Sequence, residues 1–354
     1  MKKLKCAVIG LGMGHHHLLS YQKNPRAELV GAADLDEKKL DRAEVAAPGI
    51  RTFTDYAEML RETQPDVVSI ALPNSLHLPV AVACMEAGAD VLCEKPMSTD
   101  LAGALEMQSE AERLGRTIYM NLSQRFNPFH RAARKLVDSG VLGEVYHGYT
   151  SWTRRDGMPG FGGWFGQKAL SGGGPLIDLG VHRIDIALWL MGNPKPVTVS
   201  GVTHHHRGIP LARKQGKVFD VEDFASGLVR FENGASLLFE ISWAGFQEAH
   251  ERQALRLVGT EGGLEAEPGA NGWELVLSHD VGNVPMASRM SAPKGNAPYS
   301  CEELVDSILD GTDFPATARD GIRMQIILDA LYTSAESGHE IDVKSFAPAA
   351  FALL

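Results

Sequence analysis

The chain has 354 residues, 44% of them hydrophobic and 22% charged, which fits a globular protein and not a disordered or coiled-coil one. That length exceeds one ordinary hydrophobic core, so two domains are expected. A net charge of −10 with no run of Lys or Arg argues against a nucleic-acid partner, and no apolar stretch has the length of a membrane span.

The start, MKKLKCAVIG, runs directly into a glycine-rich turn instead of a cleavage-type segment, so the chain reads as cytoplasmic. The first 120 residues alternate apolar runs with helix-like segments, the pattern of a parallel sheet wrapped by helices. Strands are predicted at Leu4–Ile9, Glu28–Ala33, Asp66–Leu72, Asp90–Cys93 and Thr117–Met120, with a weaker one at Arg51–Phe53. Helices are predicted at Asp55–Glu62, Leu76–Ala87 and Thr99–Leu114, the last between the capping cluster Ser98-Thr99-Asp100 and Gly115.

From about Asn127 the texture changes. A helix at Pro128–Ser139 and a strand at Glu144–Trp152 precede a Gly- and Trp-rich loop from Thr153 to Gly174. A strongly apolar helix, Pro175–Met191, comes next. Alternating runs at Val197–His206, Phe224–Phe231, Ala235–Trp243, Ala254–Val258 and Trp273–Ser278 predict a mostly antiparallel sheet. Asn233-Gly234 joins two of these as a hairpin. Asp280–Pro298 is read as a flexible loop, and helices at Cys301–Leu309 and Ala318–Ser337 close the chain. The division is a Rossmann domain over residues 1–124 and an α/β domain over residues 125–354. Cys6, Cys84, Cys93 and Cys301 have no CxxC or metal spacing and are read as buried fillers in a reducing compartment.

Gly10, Gly12, Met13 and Gly14 follow the first strand and open a helix, where glycine lets the backbone approach a pyrophosphate. The third glycine of GxGxxG belongs at the position of His15, so Gly14 comes one residue early. Asp34 ends the next strand, where an acid either hydrogen-bonds the ribose 2′-hydroxyl of NAD or caps the following helix. With Leu35 and Asp36 after it, a 2′-phosphate meets repulsion, so NAD is expected over NADP. The runs His15-His16-His17 and His204-His205-His206 place neighbours in different directions, so a structural or surface role is favoured over a metal site.

Glu94-Lys95-Pro96 ends the fifth strand, at the edge where open parallel sheets bind ligands. A lysine there either is a surface residue before a helix or holds a substrate oxygen and stabilises its developing charge, the second reading being favoured by the polar stripe that follows. Pro96 restricts its direction, and a cis Lys95–Pro96 bond is expected. On the apolar helix, Asp178, His182 and Asp185 recur at i, i+4 and i+7 as one polar stripe. Burying such groups is costly, so the stripe is either an internal network or, the favoured reading, a cleft wall with a histidine suited to proton transfer. Gly172-Gly173-Gly174 before it is read as room for a ligand.

These residues resemble the Gfo/Idh/MocA oxidoreductases over nearly the whole chain. The matching pieces are Pro73-Asn74-Ser75-Leu76-His77, Glu94-Lys95-Pro96, Arg125-Phe126-Asn127-Pro128 and Gly172 through Asp185. The resemblance implies a Rossmann domain and an α/β domain whose open antiparallel sheet makes a homodimer or homotetramer. It implies catalytic roles for Lys95, Asp178 and His182, and places Asn74, His77 and Glu94 beside the nicotinamide end of NAD. The expected reaction is hydride transfer from a secondary alcohol of a sugar, inositol or related polyol. Arg125, Trp152, Arg154, Arg155, Trp164 and Phe165 are candidates for shaping the substrate site or for ordinary packing. Two rival classes are an NAD-dependent glycosidase acting by transient oxidation and a non-catalytic dinucleotide-binding regulator. Glu94-Lys95-Pro96 favours the dehydrogenase over the first, and a full set of proton-transfer residues favours it over the second.

Overall fold

The structure is a computed structural model that describes residues 3–269, 272–291 and 300–354. It divides into two compact units, one of Met1–Ser123 with Pro298–Ile322 and the other of Gln124–Ala297 with Arg323–Leu354.

In the first unit, β1 (Leu4–Ile9), β2 (Ala27–Ala33), β3 (Thr52–Phe53), β4 (Val67–Ile70), β5 (Asp90–Glu94) and β6 (Ile118–Asn121) form one parallel sheet. Their order is β3-β2-β1-β4-β5-β6, the doubly wound arrangement whose order reverses between β1 and β4. β4 is buried at every position, as a strand covered on both faces must be, which is why it reads as a mostly apolar run with Ser69 within it. The predicted helix after Leu76 begins with a tight turn at Asn74–Leu76 before the regular helix His77–Glu86. The helix Ser300–Asp310 packs here too: Arg26 pairs with its Asp306 at 2.9 Å and Asp310 at 2.6 Å, and Asn24 Nδ2 donates to the Glu302 carbonyl.

The second unit holds β7 (Val145–Arg154), β8 (Pro196–His204), β9 (Phe224–Phe231), β10 (Ser236–Ser242), β11 (Glu251–Gly259), β12 (Gly262–Gly269), β13 (Gly272–Val281), β14 (Val284–Ser291) and β15 (Ile341–Asp342). The order is β14-β13-β12-β11-β7-β10-β9-β8-β15, antiparallel throughout except for the parallel pair β7–β10. On β9 and β10 one face is core, with Ala225, Val229, Phe231, Leu237, Phe239 and Ile241 all buried. Alternate residues such as Arg230, Leu238 and Glu240 point outward.

The segment predicted as a flexible loop from Asp280 differs in the structure. β13 continues to Val281, and Gly282 and Asn283, both with positive φ, turn the chain into β14. β14 is exposed at nearly every position, so it lacks the alternation that marks a half-buried strand. Positions 292–298 of that prediction lie outside the described residues.

Candidate functional site

The glycine turn comes first. A Cβ on Gly14 would lie 2.9 Å from Val8 Cγ1 and 3.1 Å from Ala71 Cβ, so this glycine lets the first helix, Gly14–Lys23, close onto the sheet. The task of the third glycine is thus done at position 14, one residue early, and the spacing departure at His15 costs the turn nothing. Gly12 has open space around its missing side chain, and among the described residues no side chain caps the helix's first turn. Asp34 closes the other side by accepting the Leu11 N–H at 2.7 Å. These groups fit a dinucleotide: Gly12 and the helix start for the pyrophosphate, Asp34 for the ribose. The expected absence of a cation at Asp34 is corrected, however. Lys39, on the helix Glu37–Ala46 that Asp36 caps, brings Nζ to 3.2 Å and 3.3 Å from the two carboxylate oxygens. The sequence rule looked only at the next two residues, while the helical turn brings the fifth one back.

At the end of β5, Glu94 is ionised within a buried cluster. Burial opposes its charge, but the hydrogen bond and charge of His17, then Lys95 and Asn121, prevail and lower its pKa to about 2. Its Oε1 lies 3.1 Å from His17 Nε2 and accepts Asn121 Nδ2 at 2.6 Å, while Oε2 accepts the Lys95 N–H at 3.2 Å. Lys95 is half-buried, and its bond to Pro96 is cis, as expected. His77 is wholly buried, with Nδ1 2.9 Å from the Pro96 carbonyl and Nε2 3.0 Å from that of Leu72. Burial lowers its pKa. The ring ties the backbone of two loops together. Asn74 is buried beside it in sequence, at the start of the tight turn. His17 is the residue that sequence reasoning missed, having been set aside as one of three adjacent histidines. The signal was the inward phase of the helix, which buries His17 and exposes His16.

In the second unit, the predicted helix Pro175–Met191 begins as a wide π turn at Leu176–Gly180 and continues as the α-helix Val181–Leu190. Such turns recur at functional sites. Nearly every residue is buried, and Asp178 and His182 are among the few left half-open. Asp178 Oδ2 accepts the indole N–H of the buried Trp243 at 3.0 Å. Asp185, the third member of the stripe, is buried and forked onto Arg125, with contacts of 3.0 Å and 2.5 Å. The charge of Arg125 is therefore paired with a carboxylate within the core. Arg183 turns inward to Thr150 Oγ1 at 3.1 Å and the Ala254 carbonyl at 2.6 Å, and burial lowers its pKa to about 10.

Trp152 stands beside His182, ring centroids 6.3 Å apart, and its buried Nε1 has no partner among the described residues. Arg154 lies over the Trp152 ring at 5.1 Å and pairs with Glu251 at 3.0 Å. Trp164 stacks on Phe165 at 3.8 Å, and Arg155 is exposed near Asp156. Two of the three glycines before the helix are also explained differently from the prediction. A Cβ on Gly173 would fall 1.9 Å from the Tyr332 hydroxyl, and one on Gly174 would fall 2.1 Å from the Glu222 carbonyl. The room they leave is filled by the protein itself. The Glu222 carboxylate there accepts the N–H groups of Gly174 and Leu176 and the Tyr332 hydroxyl, and burial raises its pKa. Among the described residues no group of three or more His, Cys, Asp or Glu is placed to hold a metal, and no helix is long and apolar enough to cross a membrane.

The parallel sheet, the open glycine turn and the acid at the end of β2 define a dinucleotide-binding α/β protein. Residues 4–122 match the oxidoreductase family with an NAD-binding Rossmann fold, and residues 130–265 match the GFO/IDH/MocA C-terminal domain. The chain is 30% identical to the D-glucoside 3-dehydrogenase of Escherichia coli (strain K12), over 96% of this chain and 97% of that one. It is 28% identical to the scyllo-inositol 2-dehydrogenase (NAD(+)) of Bacillus subtilis (strain 168), over 74% of this chain and 73% of that one. The solved structure of GenD2 from gentamicin A biosynthesis, in complex with NAD, matches with a TM-score of 0.79 at 25% identity, covering 97% of each chain. The chain belongs to the Gfo/Idh/MocA oxidoreductase family.

Proposed function

We propose that this protein oxidises a secondary alcohol of a sugar, inositol or related polyol, with NAD as the hydride acceptor. The observation that carries the reading is the half-open pair Asp178 and His182 on a helix that is nearly all buried, beside Trp152 Nε1, which has no partner among the described residues. Two relatives named for the oxidation of ring alcohols, a glucoside at position 3 and an inositol at position 2, support the substrate class. NAD supplies the carbon that accepts the hydride. His182 takes the hydroxyl proton, and Asp178, steadied by Trp243, orients that imidazole. Lys95 donates to the same substrate oxygen as its charge develops. The Trp152 N–H and ring, with Arg154, meet the hydroxyls and apolar face of the sugar, and Trp164 and Arg155 lie on the loop that borders them. Residues 1–124 hold the cofactor, and residues 125–354 carry the substrate side chains and the subunit contacts of a homodimer or homotetramer. Four buried free thiols suit a reducing compartment, the cytoplasm.

A panel of glucosides, aldoses and inositols with NAD and NADP at mildly alkaline pH, followed by NADH absorbance, tests the reading. Turnover with at least one cyclic polyol is expected. Release of a glycosidic group without net NADH would mark a glycosidase instead, and tight cofactor binding without turnover would mark a regulator.

A further inference from the structure

His17 and Glu94 have side-chain exposures of 5% and 15%, so both partners of this ion pair are largely withdrawn from water. Such a pair is a poor source of stability, because desolvation offsets most of the attraction. Its placement is more informative. His17 lies in the second turn of the helix that opens at the glycine turn, and Glu94 is the residue before Lys95. The cluster joins two further elements, β6 and the helix Ser300–Asp310, since Asn121 at the end of β6 donates to Glu94 and accepts Ser300 Oγ at 2.5 Å. Burial pushes the imidazole toward neutrality, but Cys301 and Glu94 outweigh it and raise the His17 pKa to about 10. His17 Nδ1 has no hydrogen-bond partner among the described residues, and Nε2 is the ring atom that meets the Glu94 carboxylate.

We propose that His17 is a positioning residue for the oxidation: by holding Glu94 it fixes the Glu94–Lys95–Pro96 turn and the direction of Lys95. Glu94 is the link, because one carboxylate oxygen takes His17 and the other takes the Lys95 N–H. His17 also balances a carboxylate that would otherwise draw on the neighbouring lysine as its counterion. The inference rests on Lys95 being the partner of the substrate oxygen.

Three variants with the substrate found in the panel test it: His17→Gln, Lys95→Ala and the double variant. His17→Gln should lower kcat roughly tenfold while KM and the NAD dissociation constant stay within about twofold. In the Lys95→Ala background the same change should have little further effect, because both act through one group. An unchanged kcat in His17→Gln, or losses that simply multiply in the double variant, would overturn the inference. Lys95→Ala with normal turnover would fail the reading of Lys95 instead. A second readout needs no turnover: the His17 ring resonance, assigned by its loss in His17→Gln, should report a charged imidazole at pH 7 in the cofactor-free protein. A neutral ring at that pH would also overturn the inference.

Discussion

At Asp34 two charges share one place. The carboxylate shapes the glycine turn through the Leu11 N–H and is at the same time paired with Lys39. Lys39 is partly exposed, so its pairing is weak, and an ammonium beside Asp34 would be a partner for a 2′-phosphate if the ribose binds that acid. NAD should still bind more tightly than NADP, since the acid favours a hydroxyl over a phosphate. Lys39→Ala should weaken NADP binding roughly two- to fivefold, the size of a partly exposed ion pair, and leave NAD nearly unchanged. Calorimetry with both cofactors measures this, and an unaltered NADP affinity would mean that Lys39 serves Asp34 alone. The His17–Glu94 pair makes a pH prediction. Glu94 is lowered from 4.5 to about 2, so its stabilisation is present above pH 4.5 and is lost as pH falls toward 2. His17 is raised from 6.5 to about 10, so its stabilisation is present below pH 6.5 and is lost as pH rises through 10. The difference in melting temperature between the native protein and His17→Gln should therefore be largest between pH 4.5 and 6.5. A difference that grows toward pH 10 would contradict this assignment of charges.

One helix carries two kinds of polar residue, and they should fail in opposite ways. Asp185 is buried and holds the Arg125 guanidinium. Removing one partner of such a pair strands a charge in the core, so Asp185→Ala should cost about 3–5 kcal/mol of stability. His182 is half-open and packs beside Trp152, so its replacement leaves no comparable stranded charge. His182→Ala should cut turnover by roughly 10²–10⁴-fold, the contribution of a general base, with little change in melting temperature or NAD affinity. Melting temperature and kcat taken on the same preparations separate the two. A His182→Ala protein that is destabilised yet fully active would end the proton-transfer reading. The i, i+4, i+7 stripe was legible in the sequence, but its division was not. The sequence shows spacing along one helix, whereas Arg125 lies 60 residues before Asp185 and Trp243 lies 65 residues after Asp178. The same distance hid Glu222, whose carboxylate reaches the Gly174 N–H from 48 residues away.

Across the whole chain, what could be read early is what local pattern specifies. Buried strands appear as apolar runs, β9 and β10 as alternation, and the cofactor turn as glycines beside an acid. β14 escaped because an exposed strand has no apolar face to count, and Lys39 because its partner is set by helix phase. The outer face of the large sheet lies between these cases. Its alternation was legible, but what covers it is a proposal about a second copy of the chain. The row that runs through Leu228 on β9, Leu238 on β10 and Tyr149 on β7 is in register and faces away from the buried residues Val229, Leu237 and Gly148. Leu238 is 40% exposed at the middle of it, with charged and polar neighbours such as Glu240 and Arg230 along the same strands. An apolar row with a polar margin is the anatomy of a protein–protein interface, and a closed symmetric dimer would bury it against itself. Light scattering at micromolar concentration should give the mass of a dimer or tetramer. Leu238→Glu should shift that mass toward the monomer, because two carboxylates would be brought into one desolvated contact. The side chain points out of its own core, so the monomer released should remain folded by circular dichroism. A native protein that is monomeric, or a Leu238→Glu variant with the native mass, would remove this face as the subunit contact.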